Sequence, residues 1–246
     1  MMVRSMENNK SLLNSKAIPI TPKMFIRIPS VGEILDDEQS YYNIITSLTG
    51  TPFQYMVQLD DMGVDYTTIS DYDLFLMLFP SFAKDDLSLV FGDLDTTDFA
   101  VSYNPENDTN IIYSRKNDII IDEYVYSILV DAIRKVNLTE RVKTKPGNEE
   151  AKKYLLEKER KKQKRNANKK HGSYLEKLII ALVNRPEFKY NYEETMDLSI
   201  YKFNHSFKQI QSSITFENTM IGVYSGTVDT SKLKDKSCLS WIPSIK

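Results

Sequence analysis

The residues best suited by type and spacing to hold a ligand are Lys158, Arg160, Lys161, Lys162, Lys164 and Arg165, six cations within eight positions. Such a run can neutralise successive phosphates, and it makes a polyanion the first ligand to consider. Two features weaken the reading. Tyr154 is the sole aromatic residue nearby that could stack a base, and the preceding part of the chain is acidic enough to repel a phosphate backbone. A charge run is also commonly a solvated face or a tether.

Other groupings capable of chemistry have simpler uses. Asp93, Asp95 and Asp98 could offer oxygen ligands, but the loop lacks the central glycine and closing glutamate of a calcium-binding hand, so a solvated turn is expected. Asp71 with Asp73, and Asp118 with Asp122, could be drawn as acid/base pairs, yet each serves as a helix cap or first-turn charge. The eight glycines stand apart, which leaves no phosphate-cradling loop and no dinucleotide fingerprint. With a single cysteine, Cys238, and two histidines, His171 and His205, neither a Cys/His zinc site nor an activated nucleophile is visible. No catalytic residue, metal ligand or cofactor is assigned, and the chain is expected not to be an enzyme.

The elements that would position these residues fall into zones of charge. Residues 1–131 hold 21 acidic and 8 basic side chains, a balance of −13, and residues 132–170 reverse it with 15 basic against 5 acidic, +10. Residues 171–246 are nearly neutral, with 9 basic and 8 acidic side chains. A length of 246 residues and 41% hydrophobic composition can supply a core for one large domain or two small ones. No apolar run approaches the roughly 20 residues needed to span a bilayer, and the first twenty residues lack a signal peptide's apolar core. An intracellular protein with no membrane association is expected.

Along the chain, residues 1–20 read as a flexible arm. Phe25, Ile26 and Ile28 predict a short strand, and Tyr41, Ile44, Ile45 and Leu48 mark one face of a helix ending at Gly50. Thr51, Pro52 and Gln54 predict a capped helix start, with Gly63 to stop it, and Ser70 with Asp73 predicts a capping box for an almost wholly apolar helix that Pro80 ends. Four strand-like runs follow at 87–91, 99–103, 111–113 and 119–121, with spacing short enough for an antiparallel meander. Val125, Ile128, Leu129, Ala132, Ile133 and Val136 then form the inner face of a helix that closes the unit. The expected architecture is α+β: a flexible arm (1–20), an acidic domain with a small antiparallel sheet and helices (21–142), a basic linker or helix (143–171) and an all-α C-terminal domain (172–246).

That last domain is built on two helices. Ser173 and Glu176 open one with Leu175, Leu178, Ile179, Leu182 and Val183 on its apolar face. The other is expected as one long helix over 192–224, kinking near Thr215, with Met196, Ile200, Phe203, Phe207, Ile210 and Ile214 in a single seam. Spacing alone makes that seam a core face first and a partner face second. Those six residues, with Trp241 from a small cluster expected to dock back on the helices, are the candidate partner-binding set.

Three segments, Leu178 to Tyr192 (LIIALVNRPEFKYNY), Ser199 to Phe207 (SIYKFNHSF) and Gly222 to Asp229 (GVYSGTVD), together with the late Trp241, resemble proteins encoded in the tail modules of tailed bacteriophages. The opening Phe25 to Glu33 (FIRIPSVGE) is similar in style to baseplate-hub and tail assembly chaperones. The resemblance covers about the last seventy residues and implies an assembly factor in the host cytoplasm that holds another tail or baseplate protein during morphogenesis. The alternatives are a structural subunit retained in the virion tail, and a nucleic-acid-binding accessory protein acting through the basic run. Oligomeric state, the partner's identity and the role of the basic segment are left open by these residues.

Overall fold

The computed structural model describes residues 11–142, 144–167 and 172–242. Part of the expected arm, residues 1–10, lies outside them, as do Lys143 and residues 168–171 of the basic linker. Residues 11–20 do not form a flexible arm: a 3₁₀ turn at Leu12–Asn14 buries Leu12, and β1 (Ala17–Thr21) pairs antiparallel with β2 (Met24–Arg27), Ile18 opposite Ile26. Pro19 is tolerated because this two-stranded sheet has only edge strands, and a register shift falls between Pro19 and Thr21.

Ser30 caps α1 (Val31–Asp36) in a reciprocal box with Glu33, whose carboxylate also pairs with Arg27. Helix α2 (Glu38–Thr49) buries Tyr41, Ile44, Ile45 and Leu48, the face expected from their spacing. The Thr51 amide donates to Gln54 Oε1 at 3.0 Å as anticipated, but this bond closes a turn and the regular helix α3 begins later, at Met56–Asp61. Gly63, at φ +72°, turns the chain away from it.

The Ser70–Asp73 box opens α4 (Asp71–Phe82). Pro80 does not end it at once: a proline cancels the hydrogen bond four residues back, and the helix runs on for two residues before stopping. The expected strand at 87–91 is instead the short helix α5 (Ser88–Phe91). Asp86 Oδ1 accepts the Ser88 amide at 2.9 Å, starting a turn that buries Val90 and Phe91, and Gly92 at φ +64° ends it. The other three runs form the meander of β3 (Ala100–Asn104), β4 (Thr109–Ser114) and β5 (Ile119–Ile121), in that spatial order. Helix α6 (Glu123–Asn137), capped by Asp122, buries Leu129, Ile133 and Val136 and packs against both sheets and α2.

Helix α7 (Glu149–Asn166) has no buried residue and rests on α3 through Leu155 and Leu156. Helix α8 (Tyr174–Val183) follows, capped by Ser173. The single long helix expected over 192–224 is two, α9 (Tyr192–Asp197) and α10 (Ile200–Tyr224), and α10 is unbroken through Thr215. Leu198 between them is extended, because the Val31 amide donates to its carbonyl at 2.8 Å and the Ile200 amide donates to the Pro29 carbonyl at 2.9 Å. The C-terminal helices, with Phe188 from the loop between α8 and α9, add Leu175, Ile179, Leu182, Ile200, Phe203 and Ile210 to the same core as Val31, Phe75, Ile112 and Leu129. The boundaries drawn from charge therefore separate zones of composition, while the acidic part and the last helices share one apolar core.

Candidate partner-binding surfaces

Helix α10 divides in the middle. In its first half Ile200 and Phe203 are fully buried, Ile210 is buried, and the Phe188 ring meets Phe203 edge-on at 6.2 Å. Met196, Phe207 and Ile214 are half-buried against the same core. The expected seam is thus largely this chain's own interior, and Ile200, Phe203 and Ile210 are closed to a partner. His205 lies beside Tyr201 with the rings tilted at 50° and their centres 4.3 Å apart, and burial followed by the nearby Lys208 charge lowers its pKa.

Beyond Ile210 no residue of α10 is buried. The seven-residue step that links Phe207 to Ile214 continues to Ile221, and the one that links Phe203 to Ile210 continues through Glu217 to Tyr224. Ile221 is 67% exposed and Tyr224 83%. From Gln209 to Tyr224 the only charged side chain is Glu217. A parallel row of Phe216, Met220 and Val223 is half-buried. The chain reverses at Gly226 (φ +77°), where the amides of Thr227 and Val228 donate to the Gly222 carbonyl at 2.9 and 3.0 Å. A side chain at Gly222 would collide with Val228, 2.6 Å from its Cβ position. The segment then returns along α10, and Gln209 Nε2 donates to the Trp241 carbonyl at 2.8 Å. The Trp241 cluster docks as expected, but through backbone, leaving its indole 56% exposed next to an exposed Ile242. The sequence shows Met220, Ile221 and Val223 continuing the apolar character to Gly226, yet neither Ile221 nor Tyr224 enters the candidate partner set; Glu217 interrupts the row that leads to Tyr224, whereas Phe207, Ile214 and Ile221 keep the seven-residue step unbroken.

Helix α7 separates the basic run into two sets. One set faces the body: Lys152 pairs with Asp65 at 2.6 Å, and Arg160 reaches both Asp60 and Asp61 at 2.6 Å. The other lies on the opposite side, where Tyr154, Lys158, Lys161 and Arg165 line up at helical spacing, flanked by Lys164, and all are exposed. Lys162 lies 3.4 Å from Glu159 and Lys161 3.8 Å from Glu157, both exposed and weak. The sequence-predicted polyanion set is therefore not one surface, since Arg160 is spent on α3.

A cleft of about 650 Å³ opens between the start of α4, the outer side of α6 and a wall of Arg141, Val142 and residues 144–146, lined also by Phe53, Tyr66, Ile69, Tyr126 and Val130. Three of its six charged residues are committed: Arg141 holds Asp71 through two bonds of 2.7 and 3.0 Å, and Arg134 donates to the Thr49 carbonyl at 2.7 Å. Tyr72 gives its hydroxyl to the Ile121 and Asn110 carbonyls, and burial pushes its pKa up to about 12. The hydroxyls of Thr51, Thr67, Ser70 and Ser127 each donate to a neighbouring protein oxygen.

The acidic turn has a structural use. Asp98 accepts the Ser114 hydroxyl at 2.8 Å and the Lys116 amide at 2.8 Å, while Asp95 pairs with the Lys116 ammonium, whose hydrogen bond holds that carboxyl far below its usual range. Among the described residues no group of three or more His, Cys, Asp and Glu side chains converges as a metal site would require, and no helix is long and apolar enough to cross a membrane.

A family model described as the YomV second domain matches residues 162–246, about a third of the chain, running from the last turn of α7 to the C-terminal segment. That domain belongs to a phage-derived family, and the match associates the chain with phage proteins. No curated protein and no solved structure matches.

Proposed function

We propose that this chain is a non-enzymatic assembly factor of a phage tail or baseplate, which holds another tail protein in the host cytoplasm until that protein is built in. The observation that carries the reading is the open half of α10, where Ile221 and Tyr224 continue an apolar row past the point at which the chain's own core ends. An exposed helix edge of this kind, with Glu217 as its one charged side chain, suits an amphipathic helix of a partner. It lies inside the segment that resembles a phage-derived domain. The acidic zone, at −13 over residues 1–131, favours a basic partner by steering encounter, while the apolar edge sustains residence once the two have met.

Coexpression with the proteins of a tail module tests this. The expected result is a soluble complex that Ile221→Ser with Tyr224→Ser releases, with association slowed by salt and dissociation little changed. Mass spectrometry of finished particles should find the chain absent. Its presence in stoichiometric amount would replace the assembly factor by a structural subunit, and failure to retain any tail protein would end both readings.

A further inference from the structure

We infer that the outer face of α7 binds the phosphate backbone of a single-stranded nucleic acid, with Lys158, Lys161 and Arg165 as the phosphate contacts and Tyr154 as a platform for one base. This site is separate from the α10 edge and does not depend on the assembly reading. Its first support is geometric. Leu155 and Leu156 pack with the α3 cluster, and Lys152 and Arg160 pair with Asp65, Asp60 and Asp61, so α7 is fastened by one side and the Tyr154–Arg165 row points directly away. The row spans about 16 Å along the helix axis.

The second support is energetic. Lys158 and Lys161, Lys161 and Arg165, and Lys158 and Lys162 are like charges three or four residues apart, an arrangement that weakens an isolated helix. Glu157 on the same face offsets this only in part, through an exposed pair with Lys161 at 3.8 Å. A locally unfavourable row kept on a solvated face is explained by an anion that neutralises it. Lys158, Lys164 and Arg165 have no carboxylate within 4 Å among the described residues.

The acidic zone is a weaker objection than its total charge suggests. The carboxylates nearest α7 on α3 and the following loop, Asp60, Asp61 and Asp65, are already paired with Arg160 and Lys152. An acidic polypeptide is the less suitable ligand, because a protein partner would need apolar contact and α7 has turned its leucines inward. Tyr154, 65% exposed at the head of the cationic row, offers a π-face that an unpaired base can cover and a duplex cannot.

Fluorescence anisotropy with a labelled oligothymidylate and the full-length chain tests the assignment. Binding should weaken with salt at a slope of about −2 in log K against log salt, the value for three phosphate contacts on a single strand. Replacing Lys158, Lys161 and Arg165 together by Gln should cost at least about tenfold at low salt and flatten the slope. Tyr154→Ala should cost about fivefold or more on the single strand and nothing on a duplex. Lys177→Gln, the loss of one exposed positive charge on α8, should leave binding as it was. All these side chains are exposed, and an unchanged circular dichroism spectrum would show the fold intact. Absence of binding at low salt, or equal binding by the triple variant, would overturn the proposal. Equal affinity for duplex and single strand would remove the single-strand assignment, and displacement by polyglutamate as effective as by unlabelled oligonucleotide would reassign the face to an acidic polypeptide.

Discussion

The carboxylate of Glu38, in the first turn of α2, caps helix α8: its Oε1 accepts the amides of Tyr174 and Leu175 at 3.1 and 3.0 Å. Two ends of the chain 136 residues apart are thus joined at a helix N-terminus, where backbone amides lack partners and a negative charge is favoured. Burial, then the Glu38 charge, pushes the neighbouring Tyr42 phenol up to about 12. Glu38→Ala should lower stability by about 1–2 kcal/mol in urea unfolding, and Glu38→Gln, which keeps an acceptor in place, by less. An unchanged midpoint for the alanine variant would mean that water caps α8 equally well.

Asn137 is a second such joint. Its Oδ1 accepts the Tyr41 hydroxyl at 2.9 Å, its Nδ2 donates to the Ile133 carbonyl, and its own carbonyl accepts Asn204 Nδ2 from α10 at 3.1 Å. Tyr41 and Asn137 are both buried, and burial holds the Tyr41 phenol well above its ordinary pKa. Tyr41→Phe leaves Asn137 Oδ1 without a donor and should cost about 1–3 kcal/mol. A double-mutant cycle with Asn137→Ala is the check, since a coupling near zero would show that the bond contributes nothing beyond packing.

What could be read from the sequence was local. The caps at Ser70, Ser173 and Asn191 lie within three residues of their partners, and the meander of β3, β4 and β5 is set by short turns. The failures were non-local. Between 192 and 224 the break is marked locally only by Ser199, whose hydroxyl caps α10 by accepting the Lys202 amide; the extended turn before it is held by Val31 on Leu198 and Pro29 on Ile200, from the other end of the chain. Leu87–Phe91 has the apolar density of a strand, and the turn begun at Asp86 made it a helix. The candidate surfaces show the same division: the α10 seam was legible as a row, but which half the core would use depended on where Phe188 and the N-terminal elements lie. On α7 the cations were plain, while their separation into docked and free sets depended on Asp60, Asp61 and Asp65 nearly a hundred residues earlier.

That docking should respond to acid. The Lys152 hydrogen bond, followed by bonds from Thr67, lowers the Asp65 pKa to about 2. A carboxylate depressed in the folded state contributes stability that is complete above its unfolded pKa and disappears as pH falls through the folded one. The attachment of α7 should accordingly loosen between about pH 4 and pH 2. Amide chemical shifts of Leu155 and Leu156 followed over that range should move in wild type, and Asp65→Asn should already show the displaced positions at neutral pH. Shifts that stay constant to pH 2 would mean that the leucines alone hold the helix.

The division of α10 gives the sharpest separation of stability from binding. Phe203 is fully buried with Phe188 against its ring, so Phe203→Ala removes a large side chain from a closed site and should cost about 3–5 kcal/mol. Ile221, seven residues beyond Ile214 on the same row, touches no buried cluster, and Ile221→Ser should change stability by no more than about 0.5 kcal/mol. For partner retention the order reverses. Ile221→Ser, folded as wild type, should lose the captured tail protein, whereas Phe203→Ala should retain it under conditions where the variant remains folded. Chemical unfolding and copurification measured on the same two variants decide the matter. If Ile221→Ser destabilises the chain as much as Phe203→Ala, the far half of α10 belongs to the core. If it is neutral in both assays, that edge holds nothing and the assembly reading loses the surface on which it stands.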